Sequence, residues 1–158
     1  MFRPMRKERK ALSQDTVNDI LHTARRGVLA MNGDDGYPYA VPLNYIYDEE
    51  NQKIYFHGSM EGHKSDAIKA CDKVCFTVCG EEIIKEEKWA PFMQSVVLFG
   101  RCHIVEDRQR AMALLKQLAM KYYPGETLVD EGIARAGNVT QMYEISIEHI
   151  TGKTVQEK

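Results

Sequence analysis

The chain has 158 residues, 44% of them hydrophobic and 28% charged, with a formal net charge of -2 at pH 7. This length and composition fit one globular domain over 1–158 built on one core, and they exclude a disordered or low-complexity chain. A near-neutral chain exerts no long-range pull on nucleic acid or on an acidic membrane, so any anion it binds must be held by a local site. The basic stretch RPMRKERK is short and has no interleaved aromatic, so residues 1–12 read as a solvated N-terminal arm rather than a nucleic-acid arm. No apolar run approaches the roughly 20 residues that a bilayer span needs, and the chain start lacks the apolar core of a signal peptide. We therefore expect a cytoplasmic protein in which Cys71, Cys75, Cys79 and Cys102 remain thiols.

In chain order, Ser13 caps a helix that carries Val17, Ile20, Leu21 and Ala24 on one face and ends at Gly27. Three strands follow, GVLAM, YAVPLNYIYD and KIYFHG, joined by the turn-rich NGDDGYP and the polar DEENQ into an antiparallel meander. Pro42 removes a ladder donor, so the second strand is bulged there or lies at an edge, with backbone groups left free. Lys64 to Ala70 form a short helix, KVCFTV a fourth strand, and GEEIIKEEKWAPFM a polar, helix-prone stretch. SVVLFGRCHIVED is a long fifth strand in which Gly100 marks a bend or a close backbone approach. Asp107 then caps a second long helix, with Ala111, Leu114, Leu115, Leu118 and Tyr122 along one face and Pro124 and Gly125 as its stop. In the last strand, YEISIEHI, Ile145 and Ile147 alternate with Glu144, Ser146 and Glu148, so one face is wet. The fold class is mainly β with helices (α+β): a six-stranded antiparallel barrel, since the short connections exclude the crossovers of a parallel sheet.

Cys71, Cys75 and Cys79, spaced by four, would align on a helix and suggest a metal site, but VCFTVC reads as a strand. There Cys75 and Cys79 stand about 13 Å apart at roughly 3.3 Å per residue, too far to share a zinc ion. We read them as small core residues with no metal role.

Residues 55–64, YFHGSMEGHK, bring a strand end, two glycines, two histidines and a lysine to the start of a helix. A helix N-terminus offers unpaired N–H groups and the positive end of a dipole, and glycines let backbone approach a ligand. With His63 and Lys64 the stretch suits a phosphate monoester; it is not a Walker loop, because Gly58 and Gly62 are too closely spaced. The same residues also suit a plain tight turn with His63 and Lys64 exposed. A nucleophilic site built on Ser59 with His57 or His63 lacks an evident orienting carboxylate, Glu61 being as suited to face solvent.

The run from GVLAMNGDDGYPYAVPLNYIYD through KIYFHGSMEGHKSDAIKACDKVCFTV, with DDGYPYAVP, NYIY, YFHG and EGHK in that order, resembles the pyridoxamine-phosphate-oxidase-like flavoproteins. Within them it is most similar to the nitroimidazole-resistance (Nim-type) branch, and the similarity extends from MFRPMRKERKALS to IEHITGK. The resemblance implies a homodimeric split β-barrel that binds FMN in two equivalent clefts at the subunit interface. It implies that Pro42, Leu43, Asn44 and Tyr45 line the isoalloxazine and ribityl chain, and that His57, Gly58 and Ser59 lead to a phosphate bound by Gly62, His63 and Lys64. Thr77 is implied as a phosphate or ribityl contact, Ser95 and Val96 as the segment closing over the flavin from the other subunit, and Trp89 and Phe92 as a substrate-pocket wall. The arginine-rich set and C-terminal segment of the pyridoxamine-phosphate oxidases are missing, so the resemblance does not extend to oxidation of that substrate.

The function so implied is an FMN-dependent oxidoreductase reducing a small aromatic or nitro-aromatic acceptor. The cofactor does the redox chemistry, and His57 is the titratable group placed to give a proton or to hydrogen-bond the cofactor. Two alternatives stand beside it: a flavin-binding or redox-sensing protein without turnover, and a haem-binding relative using His57, His63, His103 or His149.

Overall fold

The computed structural model describes residues 1–82, 92–123 and 125–155. The elements are helix α1 (Gln14–Thr23), strands β1 (Gly27–Asn32), β2 (Pro38–Leu43), β3 (Ile46–Asp48) and β4 (Lys53–Ser59), and helix α2 (His63–Ala70). Strands β5 (Lys73–Cys79) and β6 (Met93–Ile104), helices α3 (Arg108–Tyr122) and α4 (Glu126–Ala136), and strand β7 (Thr140–Val155) complete them. Among the described residues all strands join one seven-stranded sheet in the order β2-β1-β5-β6-β7-β4-β3, and every pairing is antiparallel. The α+β class holds, with seven strands in place of six.

The additional strand arises because YAVPLNYIYD is two strands, interrupted at Asn44 and Tyr45. These two residues connect the opposite edges of the sheet. Three Cα steps reach about 11 Å at most, so the sheet must curl until its edges nearly meet along an unpaired seam. The three-strand meander is thereby divided: β1 pairs with β2, and β3 with β4, but β2 pairs with neither β3 nor β4. Pro42 sits on the edge strand β2, as its missing donor requires.

Helix α3 supplies what the seam lacks. The Tyr45 N–H donates to the Tyr122 hydroxyl oxygen at 3.0 Å, and the Tyr45 carbonyl accepts from Lys121 Nζ at 3.2 Å. Lys121 also donates to Ala24 O at 2.9 Å, and the Tyr122 hydroxyl to Arg25 O at 2.7 Å. One helix end thus ties the seam to the segment leaving α1.

Alternation along the strands separates two cores. Ile54 and Phe56 of β4 point into the barrel with Leu29, Tyr45, Phe76, Val96, Leu98, Tyr143 and Ile145. Tyr55, between them, packs on the other face with Leu114, Leu115 and Leu118 of α3. Strand β4 is therefore covered on both sides, which fixes where its C-terminal residues can point.

Several sequence readings hold. Ser13 Oγ accepts from Thr16 N–H at 3.2 Å and Asp107 Oδ1 from Arg110 N–H at 3.1 Å, capping α1 and α3. The β6–β7 register shifts between Phe99 and Gly100, where a Cβ on Gly100 would run into the Ser146 carbonyl oxygen. Others are corrected. Helix α1 stops at Thr23, and Gly27 instead opens β1, because the Phe76 ring fills the place of its Cβ. Cys75 and Cys79 lie on the outer face of β5, whose core face is Val74, Phe76 and Val78; Cys102 alone is buried, and burial pushes its thiol up to about 12. The N-terminal arm is not free: Ala11 bridges to Lys153, and the Phe2 ring stacks on His149 at 4.8 Å. Helix α4 has no counterpart in the sequence reading, for Gly125 and Gly132 disguise it. The helix-prone stretch with Trp89, and the stop at Pro124, fall outside the described residues.

Candidate functional site

Strand β4 ends in His57, Gly58 and Ser59, and the chain then turns through Met60 and Glu61 to Gly62, whose φ of 116° is open to glycine but strained for other residues. The turn is held from within: Glu61 N–H donates to Ser59 Oγ at 3.3 Å, and the buried Ser65 hydroxyl to Met60 O at 3.1 Å. Tyr143 of β7 adds a third tie, its hydroxyl donating to Ser59 O at 3.0 Å. Ser59 therefore serves turn geometry, and neither histidine bonds to its hydroxyl.

Gly58 and Lys64 fit each other. A Cβ on Gly58 would lie 2.6 Å from Lys64 Nζ, so only glycine lets the ammonium lie against the strand. The ammonium stands 5.5 Å from the Phe56 ring centre and 5.9 Å from that of Tyr143, and its one hydrogen bond among the described residues is a long one, 3.5 Å to His57 O. Among the described residues no carboxylate pairs with it. Partial burial lowers its proton affinity, with the neighbouring Cys102 acting in the opposite sense. His63 turns the other way, its ring stacked on Tyr39 at 4.0 Å and its Nε2 3.6 Å from Asp34 Oδ2.

The sequence reading gathers His57 and Lys64 into one site; strand alternation places them on opposite faces of β4. Gly58 follows Phe56 to the face where Lys64 lies, whereas His57 follows Tyr55 to the face covered by α3. There His57 and Asn44 open onto a cavity of about 350 Å³ beneath α3 and α4, walled by Leu115, Leu118, Leu128, Val129 and Ile133. Surrounding protein first, and the Lys64 charge second, hold the His57 imidazole below the usual histidine range.

The remaining predicted residues divide by exposure. Pro42 faces outward, Leu43 leans on the core and Asn44 is half-buried at the cavity. Thr77 and Ser95 are half-buried, and Thr77 shares the outer face of β5 with the two cysteines. Tyr45 and Val96 are corrected as contact residues: each has 0% exposure, and the Tyr45 hydroxyl is committed to Leu21 O at 2.8 Å. Phe92 is half-buried, and Trp89 lies outside the described residues. The four histidines considered for iron do not converge, for His103 lies beside Asp72 and His149 beneath Phe2, while His57 and His63 stand on different elements. No group of three potential metal ligands occurs among the described residues, and no described helix is long and apolar enough to cross a membrane. Sequence reasoning missed Tyr39, Tyr143 and the α4 wall; the two tyrosines read simply as strand aromatics.

A barrel split along one seam, with a glycine-hinged turn and a lysine at its open end, defines the split-barrel class. The chain belongs to the pyridoxamine 5'-phosphate oxidase family, whose model matches residues 13–154. Among solved structures it is similar to the flavocytochrome Anf3 of Azotobacter vinelandii, with 22% identity, a TM-score of 0.78, and coverage of 98% of this chain and 73% of that one. A candidate 5-nitroimidazole antibiotic resistance protein of Bacteroides thetaiotaomicron aligns at 19% identity and TM-score 0.74, covering 91% of this chain and 86% of that one. A FAD-binding protein of Mesorhizobium loti aligns at 24% identity and TM-score 0.66, covering 93% and 98%. No curated protein matches in sequence.

Proposed function

We propose that the chain is an FMN-binding flavoprotein that reduces a small aromatic or nitro-aromatic acceptor. The observation that carries this reading is Lys64: a half-buried ammonium with no carboxylate partner among the described residues, received by Gly58 at the start of α2. A cation removed from water stays charged at a cost unless an anion meets it, and a phosphate monoester is the anion that the adjoining α2 N–H groups also favour. Membership of the family, and flavin-binding proteins among the structural neighbours, agree with it.

In this reading Lys64 holds the phosphate with the backbone of Gly58, Ser59, Gly62 and His63, Pro42, Leu43 and Asn44 flank the ribityl chain and ring, and Thr77 and Ser95 complete the cleft. FMN supplies the redox chemistry when bound. Val28, Thr77 and Val97 form one cross-strand row on the outer sheet face, and Ala30, Cys75 and Phe99 the next. Val28 is 41% and Phe99 39% exposed, an apolar face suited to a second copy of the chain and hence to a homodimer with the cofactor between subunits.

The test is the visible spectrum of the purified protein before and after adding FMN. The reading expects the two flavin bands and release of FMN, rather than FAD, on denaturation; a protein that stays colourless with FMN present refutes it. With flavin bound, His57→Ala is expected to slow acceptor reduction in steady-state assays, and unchanged rates would remove His57 from the mechanism.

A further inference from the structure

The cavity under α3 and α4 lies across β4 from Lys64 and belongs to none of the phosphate contacts described above. Its walls are mostly aliphatic, with Leu118 and Val129 buried, and its mouth exposes Tyr123 at 55% and Leu128 at 56%. Large apolar side chains left open at the rim of a concave site indicate that something apolar covers them.

Three features define the occupant. A volume of about 350 Å³ admits a small molecule and not a helix or a peptide strand. Arg135 of α4 also lines the cavity but is exposed, whereas at the sheet side, among the described residues, neither the Asn44 amide nor the His57 ring has a side-chain hydrogen-bond partner. A polar group facing a cavity without a partner calls for one in the ligand. Finally, Gly132 lines the cavity from the middle of α4, and a Cβ added there meets no atom within 4 Å. Glycine inside a helix weakens it, so a position with room for any side chain keeps none, and the cavity stays open.

We propose that this cavity is a binding site for a flat, uncharged aromatic molecule of one or two rings, its polar edge turned to Asn44 and His57. A neutral imidazole, consistent with the depressed proton affinity of His57, offers one donor and one acceptor to such an edge but no charge. The site extends the flavoprotein reading by giving its acceptor a place, and it rests on that reading only for the redox role; binding itself needs no flavin.

The experiment uses 2-naphthol as the probe on the full chain, with and without FMN. Saturable one-to-one binding is expected in both states, followed by the probe's fluorescence. Nuclear Overhauser contacts should run from its ring protons to the methyl groups of Leu118, Leu128 and Ile133. Gly132→Leu fills the space, and is expected to weaken the probe at least tenfold while leaving the melting temperature equal or higher and FMN affinity unchanged. Three results would overturn the proposal: no saturable binding to the wild type, as when a second copy of the chain shuts the mouth; contacts to other residues; or equal affinity for naphthalene-2-sulfonate, which would make the site an anion site. Should FMN fail to bind while 2-naphthol does, the flavoprotein reading falls and the cavity assignment stands.

Discussion

Two half-buried lysines, each beside a break in the sheet, meet opposite fates. Lys121 lies 4.3 Å from the Tyr45 ring centre and gives hydrogen bonds of 2.9 and 3.2 Å to two carbonyls, closing the seam between β2 and β3. Lys64 lies between the Phe56 and Tyr143 rings and has, among the described residues, one bond of 3.5 Å, at the turn between β4 and α2. Burial depresses both, Lys121 to about 8. The difference teaches how to tell a structural cation from a candidate binding one: the first has its acceptors supplied by the chain, while the second is surrounded but under-bonded among the described residues, and in the proposed function a ligand completes it.

The comparison predicts separable effects, and the largest belongs to the seam. Lys121→Ala removes the Lys121 donor from the Ala24 carbonyl and leaves the Tyr45 carbonyl to the Tyr122 hydroxyl alone, and should lower unfolding free energy by about 2 kcal/mol. Denaturant melts would show this, and an unchanged midpoint would erase the distinction drawn here. Next, Lys64→Ala should leave those melts nearly unchanged but weaken FMN by about 1–3 kcal/mol, the worth of a charge-assisted hydrogen bond. Tyr122→Phe deletes the hydroxyl shared by Tyr45 and Arg25 and should cost about 1.5 kcal/mol of stability without touching flavin affinity. Gly58→Ala should have the smallest effect on folding, because a flexible lysine tip can yield, yet it should lower FMN affinity several-fold by displacing that tip.

A pH series sharpens the contrast. The Lys121 value falls from an ordinary 10.5 to about 8, chiefly through burial and secondarily through the Arg25 charge. Between these values the unfolded chain binds more protons than the folded one, so stability rises with pH. Relative to Lys121→Met, the wild type should gain stability from about pH 8 to 10.5. A flat difference curve would mean that the ammonium is better solvated than its surroundings indicate.

What was legible in the sequence was what is written locally. The Ser13 and Asp107 caps, the Gly100 close approach and the glycine-hinged start of α2 all follow from residues a few positions apart. The seam was not legible, since its bonds join Tyr45 to Lys121 and Tyr122 and Arg25 to Tyr122, across 76 to 97 residues of chain. Without those partners YAVPLNYIYD scans as one strand, and Tyr45 as an aromatic free to meet a ligand. Similarly, the turn residues were identifiable as a group, but not their division between two faces of β4. That follows from the barrel and α3 packing on opposite sides of the strand, a fact of tertiary structure.

The central claim is that Lys64 receives a phosphate. It is tested most directly by titrating wild type and Lys64→Ala with FMN and with riboflavin, which lacks the phosphate, in the same buffer. The account predicts that the substitution weakens FMN by roughly 5- to 150-fold, matching about 1–3 kcal/mol, and leaves riboflavin affinity unchanged. Equal loss for both ligands, or no loss for FMN, would contradict it.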